Sequence, residues 1–280
     1  YLKANYILEF MVVMLSSVLG SENQTSKYIR DCKRYGISIL PISINKSYNN
    51  YGIENNSSIR VALLVIKGIG KTISDSLIEE RKKGPFKNFI DFVFRCNKFL
   101  KQNVFETLVF SGALDEFNLT KKTMIENYQK IIDFYRFNSS GYFTDQISLD
   151  NLEEYSVSEL MSYEIKTLGF YLHTHPVQKY LENNKNVITP SQTLKYIDKS
   201  IEVVGYVENI KKTTTKNNEE MATILISDDI TSIYGVIFPK IYQKLMGNLE
   251  NNILVKIKCK VQERNQKLQL VIFDINKVNN

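Results

Sequence analysis

Apolar and polar residues follow two different periods along this chain, and the change comes at about residue 200. Before that point, apolar residues recur three and four positions apart, which predicts amphipathic helices. After it, apolar and polar residues alternate, as in residues 201–206, and this alternation predicts β-strands. We therefore expect an α+β protein of several domains, in which a helical region precedes a β-rich one.

The helical period can be followed from segment to segment. It predicts two helices within residues 1–35 and further helices over residues 71–81, 86–94, 101–110, 121–137 and 156–172. Ser156 and Glu159 have the spacing of a capping box at the start of the last of these helices. Extended runs and polar connections are expected between the helices, at residues 38–44, 45–58, 59–64 and 138–154.

The alternating region contains five predicted strands. They cover residues 200–206, 221–226, 232–238, 253–261 and 268–275. A short helix is expected at residues 239–245, between the third strand and the fourth. Five strands with a helix in that place is the order of an OB-fold barrel.

The most informative motif is a glycine corner between an apolar run and an amphipathic helix. Two glycines around one aliphatic residue permit a tight turn with positive φ. The first amides of the following helix are then unpaired and point outward, where they can bind a phosphate oxygen. Two lysines and a threonine add charge and a hydroxyl, so the candidate DNA-binding residues are Lys67, Gly68, Ile69, Gly70, Lys71 and Thr72.

This arrangement is typical of a helix-hairpin-helix, which binds the nucleic-acid backbone without reading bases. Ile66, Ile73 and Leu77 are spaced to pack two short helices together. The alternative is an ordinary helical turn with a glycine cap. A second glycine turn at Gly112, within residues 101–117, predicts that the region holds tandem hairpins.

The predicted barrel offers a second candidate surface. The loop between its first two strands contains three lysines, Lys211, Lys212 and Lys216, beside a run of threonines. Tyr234 and Phe238 on the third strand are candidates for stacking on the bases of a single strand. The alternatives are that Phe238 fills the barrel and that the lysines only keep the loop soluble.

Composition narrows the class of protein. The chain has 280 residues, 43% of them hydrophobic, and a formal charge of +6 that favours a polyanionic partner. Three widely separated cysteines without a C-x-x-C pair, together with only His173 and His175, predict no metal site and a reducing cytoplasm. Residues 7–19 are too short to span a bilayer, so no membrane association is expected.

No catalytic residues are predicted. No nucleophile with its base, separated acid pair or P-loop can be found, so we expect this segment to bind rather than to react. The first residue is Tyr1, and we expect the chain to be a piece of a longer polypeptide.

Four segments together resemble the region after the polymerase core of the bacterial DNA polymerase III alpha subunit, a C-family replicative polymerase. They are YLKANYILEFMVVMLSS, CKRYGISILPISINKS, IRVALLVIKGIGKTISDSLIEERKKGPFKNFIDF with VFETLVFSGALDEF, and YEIKTLGFYLHTHP before the barrel. The resemblance implies an end of the fingers region with a linker, a hairpin region, a connector and an OB domain. Their expected bounds are residues 1–58, 59–137, 138–198 and 199–280.

In that family the hairpin region contacts the primer-template duplex and the OB domain handles single-stranded template. The resemblance therefore implies that the residues of the glycine corner bind duplex DNA and that the candidate residues of the barrel bind single-stranded DNA. It also implies a sliding-clamp motif of the form Q-x-x-L-F, of which Gln146 and Leu149 match, whereas Asp150 replaces the aromatic residue. A carboxylate there removes apolar burial, so clamp binding is expected to be weak or supplied elsewhere.

The resemblance also implies what this chain lacks. The family's catalytic aspartates, which hold two Mg²⁺ ions, belong to a palm domain that precedes these segments, so no cofactor is expected here. Two other functions fit the same domains: an accessory region of a DNA repair ligase or nuclease, and a non-catalytic interaction scaffold.

Overall fold

The computed structural model describes residues 5–137, 147–173, 175–215, 217–245, 247, 249–264 and 267–278. The chain divides into two compact units, residues 1–173 and 174–280. The first unit carries the helical period and the second the alternating one. The finer division into four parts stays a prediction.

The first unit is mainly helical. Its helices are α1 (Ile7–Ser17), α2 (Glu22–Arg34), α3 (Lys71–Lys82), α4 (Phe89–Cys96), α5 (Gln102–Phe110), α6 (Lys121–Phe137) and α7 (Val157–Leu168). All of the predicted helices are present, and α6 begins and ends where its apolar period predicts. The capping box is also present, because Ser156 and Glu159 bond each other's backbone amides at the start of α7.

A small three-stranded sheet lies between α2 and α3. Its strands are β1 (Ser38–Leu40), β2 (Gly52–Asn55) and β3 (Ser58–Arg60), in the order β1-β3-β2. The predicted strand over residues 59–64 is therefore shorter than expected. A 3₁₀ helix, Leu63–Val65, follows it and forms the first arm of the hairpin. The two short helices expected around the glycine corner are thus one 3₁₀ turn and the full helix α3.

Fully buried apolar side chains from these elements form one core. Its largest members on and around α4 and α5 are aromatic, among them Phe89, Phe92 and Phe105, and Phe105 stacks on Tyr128 of α6 at 3.9 Å between ring centroids. Burial of an aromatic ring removes roughly 150–250 Å² from water. The buried side chains of the hairpin arms belong to this core, which fixes the position of the arms.

The second unit is built around a closed five-stranded barrel. Its elements are α8 (Pro176–Asn183), a 3₁₀ helix (Pro190–Tyr196), β4 (Ser200–Thr214), β5 (Glu220–Ser227), β6 (Ser232–Ile237), α9 (Pro239–Leu245), β7 (Ile253–Arg264) and β8 (Lys267–Lys277). The strand order around the barrel is β4-β5-β6-β8-β7, and β6 pairs with β8 in parallel. Helix α9 between the third and fourth strands of the barrel agrees with the predicted OB-fold.

The first barrel strand is longer than its alternation predicts. Lys211 and Lys212 belong to β4 and not to a loop, because β4 continues to Thr214 and pairs with β5 over this length. Lys216 lies outside the described residues. The expected basic loop is therefore mostly the end of a β-hairpin.

Candidate nucleic-acid interface

The glycine corner between the 3₁₀ helix and α3 is open to solvent. Gly68 and Gly70 are exposed, whereas Ile69 between them is 5% exposed and anchors the turn in the core. Only Gly68 has a positive φ, of 80°. Gly70 is extended, with φ −82° and ψ 168°, as the N-cap of α3. Gly68 therefore makes the predicted turn with positive φ, and Gly70 leads into α3.

Several amide donors at this corner are unused. Within the described part of the chain, the N–H groups of Gly68, Gly70, Lys71, Thr72 and Ile73 meet no hydrogen-bond acceptor. These are the orphan donors expected at a helix N-terminus. Since the helix dipole also places partial positive charge there, the corner is suited to bind an anionic oxygen.

The corner is held in place through its other amides. Lys67 N–H donates to the carbonyl oxygen of Thr167 at 2.8 Å, near the C-terminal end of α7. Ile69 N–H donates to Ile66 O at 3.1 Å and closes the turn itself. The open donors are therefore presented from a fixed backbone.

The two lysines of the corner are ion-paired at the surface. Lys67 Nζ lies 2.5 Å from Glu22 Oε1, and Lys71 Nζ lies 2.8 Å from Asp75 Oδ2. The Lys71 ammonium, with help from the Asn49 amide, holds the pKa of Asp75 below its ordinary value. Exposed pairs of this kind contribute little stability, so either lysine can exchange its carboxylate for a phosphate at small cost.

The different backbone conformations of the two glycines predict different effects of alanine. Gly68→Ala is expected to lower the free energy of unfolding by about 1 kcal/mol, because φ of 80° strains an L-residue. Gly70→Ala should cost much less, since its φ is ordinary and the added Cβ meets open space. Urea unfolding of both variants measures this. Equal losses would contradict the assigned backbone.

The second glycine corner, after α5, is closed. Gly112 has a φ of 81°, as the predicted turn requires, but Ser111, Ala113 and Leu114 around it are fully buried. A Cβ at Gly112 would lie 2.9 Å from the His173 ring. The two hairpins are therefore not equivalent, because the turn glycine is exposed in the first and buried in the second.

A histidine and a buried glutamate cover this second corner. Glu164 Oε1 accepts hydrogen bonds from the Leu172 and His173 amides at 3.1 Å and lies 2.6 Å from His173 Nδ1. The hydrogen bond to Glu164 raises the pKa of His173. His173 thus has a structural role at this corner.

The outer face of the barrel carries exposed aromatic rings. Tyr234 on β6 is 59% exposed and Phe238, directly after β6, is 47% exposed, so Phe238 does not fill the barrel. Val236 pairs with Val271 of β8, and Phe238 and Phe273 each lie two residues further along. Phe273 on β8 is 45% exposed and lies on the outer face with Val271, two residues before it.

One lysine extends this aromatic face. Lys211 pairs with Thr223, and Thr223 pairs with Val236, so Lys211 lies on the same face of the sheet as Val236 and Tyr234. Lys212 pairs with Ala222 in the neighbouring row and points to the opposite side of β4. Of these two lysines, only Lys211 shares the outer face with Tyr234.

Sequence reasoning missed Phe273. Alternation along β8 puts Phe273 in the outward set with Gln269 and Val271, and this signal was available. The parallel pairing of β8 with β6 places this outward set on the face that carries Tyr234. Such pairing cannot be read from either strand alone.

The residues matched to a clamp motif are only partly described. Gln146 lies outside the described residues, and Leu149 packs against the core of the first unit. Asn127 holds the Asp150 backbone on both sides, accepting from its N–H and donating to its carbonyl at 2.9 Å. Leu149 is thus engaged within this chain.

Other chemistry finds little support in the parts of the chain that are described. They contain no cluster of three or more His, Cys, Asp or Glu residues that could hold a metal ion. Asp228 accepts hydrogen bonds from the amides of Ile230 and Thr231 and so stabilises a turn. Within the described residues, no helix is both long and apolar enough to cross a membrane.

Comparisons with known proteins identify both parts. Residues 36–124 match the helix-hairpin-helix motif, and residues 201–278 match the OB-fold nucleic acid binding domain. Among solved structures, the chain is similar to the mitochondrial single-stranded DNA binding protein Rim1 of S. cerevisiae, with 18% identity over 29% of this chain and 94% of that one, at a TM-score of 0.25.

Curated relatives match nearly the whole chain. The DNA polymerase III alpha subunit of Bacillus subtilis is 30% identical over 97% of this chain, and that of Staphylococcus epidermidis is 32% identical over 99%. In both cases the chain spans 26% of the relative's length, or about a quarter. The chain is therefore a homologue of about a quarter of the bacterial DNA polymerase III alpha subunit, and it carries a helix-hairpin-helix region followed by an OB-fold nucleic-acid-binding domain.

Proposed function

We propose that this chain is the DNA-contacting part of a replicative polymerase. The open glycine corner binds the backbone of the primer-template duplex, and the outer face of the barrel binds single-stranded template. The observation that carries the proposal is the set of unused amides at the start of α3, in an exposed turn between two lysines.

The division of labour follows from the chemistry of the two surfaces. Amides and ammonium groups at a helix start bind phosphate oxygens, which a duplex presents along its whole length. Exposed rings need unpaired bases, which only a single strand offers. The closed corner at Gly112 is assigned to packing, and so is Leu149, so a sliding clamp is expected to bind this segment weakly.

Template-directed DNA synthesis belongs, in this proposal, to the full-length protein. A separate catalytic region would hold Mg²⁺ and transfer the nucleotide, while this chain positions the substrate beside it. Tight positioning contributes to the rate of such reactions because it removes the cost of bringing the reactants together.

The barrel surface can be tested separately. Replacing Tyr234 or Phe238 by alanine is expected to weaken binding of a short oligo(dT) by about fivefold or more, because stacking contributes roughly 1–3 kcal/mol per base. Fluorescence anisotropy with labelled oligo(dT) and with a blunt duplex measures both affinities. Only the oligo(dT) affinity should fall.

A matched control is Tyr180→Ala, since Tyr180 lies on α8 of the same unit and not on β6 or β8, which carry exposed rings. It should leave both affinities unchanged. Unaltered oligo(dT) binding by the Tyr234 and Phe238 variants would remove the barrel from the proposal.

A further inference from the structure

The end of α3 that is remote from the open corner borders a cavity of about 400 Å³. Residues at the end of α3, at the end of α4 and on α6 line it. A cavity of that size falls within the range of roughly 300–1,000 Å³ typical of ligand sites. Neither the proposed duplex contact nor the barrel makes use of it.

Two aromatic rings in the cavity lining pack against each other. Phe94 and Tyr135 lie with their ring centroids 4.2 Å apart and their planes at 35°. Phe94 is nevertheless 45% exposed, although the phenylalanines beside it on α4 are buried. A ring that is held by a neighbour and still open to solvent can stack on a further planar group.

The lining of the cavity also contains four cations and a single carboxylate, that of Glu80. Arg95 and Arg136 are paired with Asp91 at 3.3 Å and Asp133 at 3.9 Å outside the lining, so the local surplus is one positive charge. Glu80 is already matched, by Lys83 at 2.7 Å and Arg95 at 3.1 Å. Lys98, at the rim, makes no ion pair within the described residues, so its ammonium can bind an anion without breaking a contact.

A planar aromatic surface beside surplus positive charge matches a nucleotide, which joins a flat base to a phosphate. We propose that this cavity receives one unpaired nucleotide of DNA, with the base on Phe94 and a phosphate at Lys98. The inference rests on the proposed function, because it takes the same DNA molecule to be held at the glycine corner.

Helix α3 connects the two places. It begins at the open corner with Lys71 and ends at Lys82, directly before Lys83 of the cavity. Twelve residues of helix span about 18 Å, which is the length of roughly five base-pair steps. A strand that leaves a duplex held at the corner can therefore reach the cavity, and this continuity favours DNA over an acidic peptide.

Photocrosslinking locates the nucleotide directly. The probe is a duplex with a three-nucleotide overhang that carries 5-iododeoxyuridine, irradiated with the 280-residue chain and digested for mass spectrometry. We expect crosslinks at Phe94 or Tyr135. Crosslinks confined to Tyr234, Phe238 and Phe273 of the barrel would overturn the inference.

Affinity gives the second readout. Phe94→Ala and Lys98→Glu are each expected to weaken overhang binding about fivefold or more while blunt-duplex binding changes less than twofold. Lys87→Glu is the matched control, because Lys87 is exposed in the same region and does not line the cavity. The two proposals can fail separately. Replacing the corner lysines without any loss of duplex binding would contradict the proposed function. Normal duplex binding together with unchanged overhang binding in the Phe94 and Lys98 variants would overturn this inference alone.

An acidic peptide is the competing occupant. A random copolymer of glutamate and tyrosine is the probe for it, added to the complex with overhang DNA. Retention of the Phe94 crosslink at a tenfold excess of copolymer supports the nucleotide assignment. Loss of the crosslink at equal concentration would assign the cavity to a protein segment and overturn it.

Discussion

Replacing both Lys67 and Lys71 by glutamate is expected to weaken binding of a primer-template duplex by about 100-fold or more. Each lysine supplies a charge-assisted hydrogen bond to phosphate of roughly 1.5–3 kcal/mol, and the two losses combine. The new carboxylates also lie beside Glu22 and Asp75, which lose their partners. Four acidic groups around the open amides would repel the phosphate that the amides bind.

The salt dependence of binding should change with the affinity. Log Kd varies linearly with log salt concentration, and each lysine–phosphate contact adds about 0.9 to the slope. The double variant should therefore lose about two units of slope in titrations between 50 and 200 mM salt, roughly the range over which such effects are large. Binding of oligo(dT) should fall much less than duplex binding.

A matched pair of lysines separates a specific contact from bulk charge. Lys82 and Lys130 are also exposed and ion-paired, to Glu79 at 2.5 Å and to Asp150 at 3.0 Å. Their double replacement by glutamate changes the net charge equally at a distance from the corner. If both double variants lose the same affinity, duplex binding depends on overall charge and not on the corner.

The elements that sequence predicts well are those with a long local signal. Helix α6 was predicted at both ends because its apolar positions repeat through 17 residues. The barrel was predicted because period two and a helix after the third strand together define its order. The 3₁₀ arm of the hairpin was missed, since three residues are too few to carry a period.

The site was predicted less completely, because its properties depend on distant residues. The two glycine corners look alike in sequence, yet one is exposed and the other lies beneath His173, about sixty residues further along. Phe273 shares the outer face with Tyr234 because β8 pairs in parallel with β6. The extended conformation of Gly70 follows from the path of the chain into α3, which glycine itself does not specify.

The first helical position of α3 allows one free amide to be removed without disturbing the helix. Lys71→Pro eliminates its N–H, and proline is favoured at that position because the amide has no partner in the helix. Gly70, with ψ of 168°, already has the extended conformation that a residue before proline requires. Lys71→Ala removes the same charge and the same pair with Asp75 but keeps the amide.

The difference between these two variants therefore measures a single backbone hydrogen bond to phosphate. Both should fold with the same unfolding midpoint in urea, which serves as the control. In fluorescence anisotropy with a labelled primer-template duplex, we expect Lys71→Pro to bind about tenfold or more weakly than Lys71→Ala, because a charge-assisted bond contributes roughly 1.5–3 kcal/mol. Equal duplex affinities of the two folded variants would contradict the account that open amides at this corner hold DNA.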